Sequence, residues 1–253
     1  SLTDSRLTLM DAARSLYGLS QLPYFALDQA QVVFSFGLTG CEPWLTPRWI
    51  AALQASDALR LPGEYWVQFE ARRSPLAARA DEWVRIRPGS EVLLASALNT
   101  LTRQNAQLAQ EAAFDLQAVG RACGVSLDDL QHLARRFAAA QGALAIPGAS
   151  ALAQPEGVEA ARAILELNQL RESSATLFFS PLPPLYPHLL ARPSTFAEVA
   201  ALIERMRSGQ IKALFVHGVD LFASLPASLE TERALQQVPF VVSFASSLNE
   251  TAR

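Results

Sequence analysis

Cysteine and histidine are scarce in this chain, which holds two cysteines and three histidines among 253 residues. Cys41 and Cys123 lie in well-separated segments, so they supply neither a CxxC metal site nor the four thiolates of an iron–sulfur cluster. The histidines, His132, His188 and His217, are equally scattered and indicate no metal triad. No G-x-S-x-G motif marks a nucleophilic serine. The sequence therefore predicts no metal site and no catalytic residue in this chain.

Long apolar runs and an excess of one charge are also missing. No uninterrupted apolar run reaches the roughly 18 residues that cross a bilayer, and residues 1–4 do not begin a signal peptide. The net charge is −3 and the sequence pI is about 5.7, so we expect no nucleic-acid partner and no direct membrane span. Because 50% of the residues are hydrophobic and 18% are charged, the chain can bury a sizeable core.

Hydrophobic periodicity predicts an α/β fold. Aromatic and β-branched runs bounded by turn residues predict short strands, and apolar residues at helical spacing predict helices between them. This alternation is typical of mostly parallel sheets flanked by helices. The predicted strands are 31–36, 65–69, 83–86, 143–146, 212–216 and 240–244, and the predicted helices are 7–19, 48–59, 91–108, 114–123, one from 127, 158–170, 195–206 and one that ends at 237.

Two strand-end turns are candidate ligand sites, because parallel sheets bind ligands beyond the carboxyl ends of their strands. The first turn follows the strand 31–36 and contains Gly37, Gly40 and Glu42. The second follows the strand 212–216 and contains Gly218 and Asp220. The alternative in each case is a tight turn without a ligand, in which a side chain such as that of Asp220 bonds its own backbone.

Acidic and basic residues also follow the strand 65–69. Glu70 ends this strand, and an acid at such a position is where an α/β sheet meets the ribose or base of a nucleotide-like ligand. Ser90 can cap the next helix, which places Glu91 in the first turn, where the helix dipole favours a carboxylate. Arg72 belongs to a basic group that can contact phosphates, although the interleaved acids favour ion pairs.

The segment 65–91 resembles part of the dinucleotide-type domain of the molybdopterin oxidoreductase superfamily. The family pattern is a strand, D-P-R, a small-residue segment ending in A-D, a short strand, then P-G-[ST]-[DE] and a helix. This chain has Glu70-Ala71-Arg72, Ala80-Asp81 and Pro88-Gly89-Ser90-Glu91 in that order. Gly40-Cys41-Glu42-Pro43 stands where the family has G-x-N-P, and Glu250-Thr251-Ala252 begins the family's E-T-A motif. The resemblance extends from Gln29 to Arg253.

The resemblance implies two related dinucleotide-type units and positions that approach a pterin dinucleotide. Those family positions are Gly37, Gly40, Glu42, Glu70, Arg72, Glu91, Gly218 and Asp220.

Three departures from the family pattern bear on cofactor binding. Glu42 replaces a frequent Asn, Glu70-Ala71 replaces Asp-Pro, and the family's glycine-rich crossing is missing from 173–194. A carboxylate at position 42 adds negative charge close to the place of a pyrophosphate, which argues against anion binding. The chain also contains the segment Glu42-Pro43-Trp44-Leu45-Thr46-Pro47. With this segment and these departures, the chain is most similar to the molybdopterin-oxidoreductase-like subunit of alternative complex III and related quinone-linked complexes.

That branch implies a structural fragment of a membrane-associated quinol/quinone electron-transfer complex of respiration or photosynthesis. No cofactor is then expected in this chain, and iron–sulfur clusters and haems would lie in other segments or subunits. The expected partners include an iron–sulfur subunit and a membrane quinone-binding subunit, on the periplasmic side of a bacterial membrane. Two alternatives remain open: a fragment of an active catalytic subunit that binds molybdopterin guanine dinucleotide, and a non-redox nucleotide-binding module.

The sequence also predicts a division into four segments. They are an N-terminal lead-in (1–27), a dinucleotide-type α/β unit (28–172), a proline-rich connector (173–194) and part of a second α/β unit (195–253). The connector contains five prolines, so no regular structure is expected in it. Its apolar residues have almost no charge nearby, which predicts an interface with other polypeptide at 177–192.

Overall fold

The computed structural model describes residues 5–19, 21–42, 44–54, 61, 64–107, 115–170, 177–179 and 194–252. The described residues between 5 and 187 form one compact unit, and those between 188 and 252 form a second. The finer division into four segments stays a prediction.

The first unit alternates strands with helices. Its strands are β1 (Tyr24–Phe25), β2 (Val32–Phe36), β3 (Tyr65–Glu70), β4 (Glu82–Arg85), β5 (Ala143–Pro147) and β6 (Leu177–Phe178). Its helices are α1 (Ser5–Tyr17), α2 (Pro47–Gln54), α3 (Pro75–Arg79), α4 (Glu91–Asn105), α5 (Leu116–Cys123), α6 (Leu127–Ala139), α7 (Ala149–Leu152) and α8 (Gly157–Leu167), with 3-10 turns at Leu27–Gln29 and Asn168–Leu170.

Four strands of this unit form a parallel sheet in the order β4-β3-β2-β5. Val32 of β2 lies opposite Tyr65 of β3 on one side and Ala143 of β5 on the other. Every residue of β2 is buried, as expected for a parallel strand covered on both faces. The predicted fold class, a mostly parallel α/β sheet flanked by helices, is confirmed.

Two hydrophobic cores cover the two faces of this sheet. Phe34 and Phe69 point to one face, where their rings meet edge to face at 5.2 Å and pack with apolar residues of α4 and α6. Trp66 and Leu144 point to the other face and pack with apolar residues of α1 and α8. Alternate side chains of each strand therefore pack into different cores. Both sets are buried, which explains the nearly continuous apolar sequence of these strands.

The outer edge of β5 is closed by a side chain. The Asn168 amide donates to the carbonyl oxygen of Ala145 at 2.9 Å and accepts from the Ala145 N–H at 2.7 Å. Asn168 is buried, so these two bonds replace the pairing that a neighbouring strand would supply.

Most predicted elements are present with ends shifted by a few residues, but the expectation of no regular structure in the connector is wrong. Leu177–Phe178, inside the connector, forms β6 and pairs antiparallel with β1. Residues 180–193 lie outside the described residues, and so does most of the interface predicted at 177–192. The short helix α3 was not predicted, although Ser74 followed by Pro75 is a helix-start signal: the Ser74 hydroxyl accepts from the Ala77 N–H at 3.1 Å.

The second unit contains α9 (Phe196–Arg207), β7 (Ala213–Val216), α10 (Leu221–Ser224), α11 (Thr231–Leu235) and β8 (Phe240–Ser243), with 3-10 turns at Ala227–Leu229 and Glu250–Ala252. The helix predicted to follow Pro226 and to end at 237 is present in part, as a 3-10 turn at Ala227–Leu229 and the helix α11. Glu230 lies between them with a left-handed φ of 47°, which interrupts the helix.

The strands β7 and β8 pair in parallel, as the predicted second βαβ layout requires. One face of this pair is buried under α9 and α11, through Ile203, Met206 and Ala234. The other face is apolar and open: Phe215 is 63% exposed and Phe240 56% exposed.

Candidate functional site

The strand order places a topological switch point between β2 and β5. The chain leaves β2 to form β3 on one side, and later returns to place β5 on the other side. In open parallel sheets the crevice beyond the carboxyl ends of two such strands is where ligands bind. The loops that line this position are Gly37–Glu42, after β2, and Gly148–Ser150, after β5.

These two loops approach each other so closely that only glycine fits at position 148, and Gly37, which has a left-handed φ of 69°, faces the Ser150 side chain. A Cβ on Gly148 would lie 2.2 Å from the backbone of Gly37 and Leu38, and a Cβ on Gly37 would lie 1.7 Å from the Ser150 Oγ. The Ser150 hydroxyl donates to the Gly37 carbonyl oxygen at 3.2 Å. The space freed by the missing side chains is therefore filled by the protein itself, whereas in dinucleotide folds such glycines admit a ligand.

The Glu42 carboxylate occupies the centre of the crevice. It accepts hydrogen bonds from the N–H groups of Thr39 at 2.6 Å, Gly40 at 2.8 Å and Ala149 at 3.3 Å, and from the Thr39 hydroxyl at 3.0 Å. Only 1% of Glu42 is exposed. We call the N–H groups of Thr39, Gly40 and Ala149 the Glu42 nest, because converging backbone N–H groups of this kind form anion sites.

Glu70 and Arg72 lie at the end of the next strand, β3. The Glu70 carboxylate accepts from the Ser74 N–H at 2.5 Å and from the Gln68 side-chain amide at 3.1 Å. Its hydrogen bonds therefore fix the turn into α3, which leaves less capacity for a ribose or base. Arg72 is exposed and makes no hydrogen bond or ion pair to any other part of the chain that the structure describes.

Glu91 begins α4 and is buried, with 6% of its surface exposed. Its Oε2 atom has no hydrogen-bond partner among the described residues. Burial raises the pKa of Glu91, and hydrogen bonds with the backbone of Glu91 itself and of Gly89 oppose the shift. Burial also raises the pKa of the neighbouring Cys123 thiol, which donates to the Ser90 carbonyl oxygen at 3.7 Å.

We expect Glu91→Gln to stabilise the protein at pH 7 by about 1 kcal/mol, because the neutral amide avoids the cost of burying a charged carboxylate. Because the pKa of Glu91 is higher in the folded protein than in the unfolded chain, protonation of this carboxyl stabilises the fold. This stabilisation is fully present at pH values below the unfolded pKa. This contribution is lost as pH rises through the folded pKa. The advantage of the variant should therefore vanish in acid, as urea unfolding at several pH values can measure.

The matched control is Glu159→Gln, which replaces an exposed acid in the first turn of α8 and for which we expect a change within about 0.5 kcal/mol. A variant less stable than the parent at pH 7 would show that the helix dipole outweighs burial.

Gly218 and Asp220 lie in the second unit, beside a cleft of about 440 Å³ at the carboxyl ends of β7 and β8. The Asp220 carboxylate accepts from the Thr251 hydroxyl at 2.8 Å and from the N–H groups of Phe222 at 3.1 Å and Glu250 at 3.2 Å. These bonds, that from Thr251 foremost, lower the pKa of Asp220, while desolvation opposes them. Asp220 thus fastens the turn at 250–252 to the start of α10.

The structure brings Gly37, Gly40 and Glu42 into one crevice. Glu70, at the end of β3, is linked to the same loop, because the Gln68 amide donates both to the Leu38 carbonyl oxygen and to the Glu70 carboxylate. Arg72 follows β3, Glu91 begins α4, and Gly218 and Asp220 belong to the second unit. The binding role assigned to these residues stays a prediction. Sequence reasoning missed Ala149 and Ser150 as members of the crevice; the Pro147-Gly148 pair at the end of a predicted strand was the available signal.

Within the described ranges, no group of three or more His, Cys, Asp or Glu side chains could hold a metal ion. Among the helices that the structure describes, none has the length and apolar character needed to cross a bilayer.

Comparisons with known proteins show similarity at the level of the fold. No protein-family model matches the chain, and no curated protein sequence matches it. Among solved structures, acetylene hydratase from Pelobacter acetylenicus matches with a TM-score of 0.65 and 15% sequence identity. The match covers 95% of this chain and 41% of the acetylene hydratase chain, so this chain spans less than half the length of that enzyme. The chain therefore shares the α/β fold of the matching part of acetylene hydratase.

Proposed function

We propose that this chain is a structural, cofactor-free segment of a molybdopterin oxidoreductase-like subunit in a membrane-associated quinol/quinone electron-transfer complex. The observation that carries the proposal is the position of the Glu42 carboxylate. It occupies the backbone donors at the crevice where a parallel α/β sheet of this order would receive a phosphate group.

The residues of this crevice do not fit a pterin dinucleotide. A pyrophosphate would have to displace a buried carboxylate and would otherwise meet its negative charge at close range, which is unfavourable. Gly37 and Gly148 pack against each other's loops and leave no room between them. The Glu70 carboxylate, at the second family position, is engaged by Ser74 and Gln68. Each mismatch supports a scaffold role, in which the fold is kept for its shape.

The rest of the proposal follows from the resemblance to the alternative complex III branch. The partners would be an iron–sulfur subunit and a membrane quinone-binding subunit, on the periplasmic side of a bacterial membrane. Redox centres of such a complex would lie in those partners or in other segments, and this chain would position them.

The competing proposal is a fragment of an active molybdenum or tungsten oxidoreductase. It is favoured by the fold match to acetylene hydratase over 95% of the chain. In that case the pterin dinucleotide would be bound by residues outside the crevice of Glu42.

We expect the native subunit, purified in its complex, to contain neither stoichiometric molybdenum or tungsten nor pterin. Elemental analysis of the isolated subunit measures the metals, and fluorescence of the oxidised pterin after acid extraction measures the cofactor. A known molybdenum enzyme taken through the same purification is the control for cofactor loss. One metal and its pterin per subunit would refute the cofactor-free role and favour the catalytic fragment.

A further inference from the structure

The nest at Glu42 leads to an inference that deepens the proposed cofactor-free role. We propose that the Glu42 carboxylate substitutes for a ligand oxyanion, and that the Glu42 nest is a latent phosphate site that opens when this carboxylate is removed.

The donors of the Glu42 nest suit a small oxyanion. Two adjacent N–H groups of one loop, from Thr39 and Gly40, and a third from Ala149 in another loop converge on one carboxylate. Gly40 has a left-handed φ of 84°. A left-handed residue in such a loop turns successive backbone N–H groups toward one point. Phosphate oxygens accept the same bonds at the same distances as carboxylate oxygens. The nest therefore selects for an anion and does not depend on the anion belonging to Glu42.

Bonds that do not involve the Glu42 side chain also hold the two loops. The Gly37 N–H donates to the Phe69 carbonyl oxygen at 2.9 Å, and the Gly148 N–H donates to the Phe36 carbonyl oxygen at 2.9 Å. The Ser150 hydroxyl donates to the Gly37 carbonyl oxygen, and the Gln54 amide donates to the Gly40 carbonyl oxygen at 3.4 Å. Because these bonds do not depend on the carboxylate, we expect the three donors to stay directed at the space that its removal leaves.

Removal of the carboxylate leaves the N–H groups of the Glu42 nest without their acceptor. The bond from the Gly40 N–H is buried and those from Thr39 and Ala149 are partly buried, so the Gly40 N–H is the donor that bulk water reaches least. A small oxyanion that enters the vacated space restores those bonds. Inorganic phosphate and pyrophosphate are the smallest probes of the class that α/β crevices bind.

The test compares Glu42→Ala, which empties the space, with Glu42→Gln, which removes the same charge but keeps the space filled. Thermal unfolding of the full chain is measured at increasing phosphate, with chloride adjusted to hold ionic strength constant. Phosphate stabilises folded proteins in general, so we expect a small and equal rise of Tm in the parent and Glu42→Gln, and a larger rise in Glu42→Ala. Titration calorimetry should show phosphate affinity at least about tenfold higher for Glu42→Ala than for the parent.

Three outcomes would overturn the inference. They are an equal rise of Tm in all three proteins, which is a general salt effect, no rise in Glu42→Ala, and an equal rise in Glu42→Ala and Glu42→Gln. If Glu42→Ala does not fold, Glu42→Asn is measured in the same way, because its shorter neutral side chain still opens the space toward Ala149. Pterin in the native subunit would refute the proposed cofactor-free role, whereas absence of phosphate rescue would refute only the latent site.

Discussion

Replacement of Gly148 by alanine should destabilise the first unit by about 3 kcal/mol or more, because overpacking against an immovable partner is at the upper end of such costs. The added methyl would lie 2.2 Å from the carbonyl carbon and oxygen of Gly37 and from the Leu38 nitrogen. All three are backbone atoms fixed by the β2–β5 junction, so they cannot rotate away as a side chain would. The free energy of unfolding, from denaturant titration followed by circular dichroism, measures the loss.

The backbone of Gly148 makes this substitution a clean probe of contact. Its φ of −95° and ψ of 173° suit any residue, so alanine adds no conformational strain there. Gly18→Ala is the reverse case: Gly18 has a φ of 71° and no atom within 4 Å of the added carbon. We expect that control to cost about 1 kcal/mol, from the left-handed backbone alone. Equal losses in the two variants would mean that the loops can separate and that the crevice is not closed.

Asn168→Asp should cost about 3 kcal/mol at pH 7, because it places a carboxylate against a carbonyl oxygen inside the protein. The Asn168 amide donates to the Ala145 carbonyl at 2.9 Å, and an ionised carboxylate there can only repel it. In acid the carboxyl gains a proton and can donate again. The penalty should therefore shrink as pH falls, which unfolding titrations at several pH values can follow.

Asn168→Leu is the matched variant for this experiment. Leucine has the same number and branching of side-chain heavy atoms, but it leaves both the N–H and the carbonyl of Ala145 without their partner. We expect a loss of about 2 kcal/mol that does not change with pH. If the Asp and Leu variants showed the same pH dependence, the amide would not be the group that closes the edge of β5.

The sequence predicts the elements of the fold well where local signals agree. The buried strand at 32–36, its glycine turn and the helix from Pro47 all carry strong local patterns, and together they predict the first βαβ unit. The helix predicted between Pro226 and residue 237 is present only as a 3-10 turn and α11, because the left-handed Glu230 interrupts it. A single left-handed residue that is not glycine carries no clear sequence signal, so this break could not be predicted.

The candidate site could be predicted only in part, because its partners are distant in sequence. The charge of Glu42 already argued against an anionic ligand, and the structure shows this carboxylate on backbone donors of its own loop. Its third donor, the Ala149 N–H, comes from a loop more than a hundred residues away. The same holds for Asn168 and Ala145. No local sequence pattern indicates such hydrogen-bonded pairs, because strand order and register bring the two residues together.

The closed edge of β5 also decides how the molecule meets other polypeptides. Alternate residues of β5 point their backbone groups outward; Ala145 is bound by Asn168, and Pro147 has no N–H to offer. At the opposite edge, β4 is only four residues long and carries Glu82 and Arg85, the charged ends that protect edge strands. The sheet of the first unit is thus shielded on both sides from intermolecular strand pairing, the step through which exposed sheets nucleate aggregates.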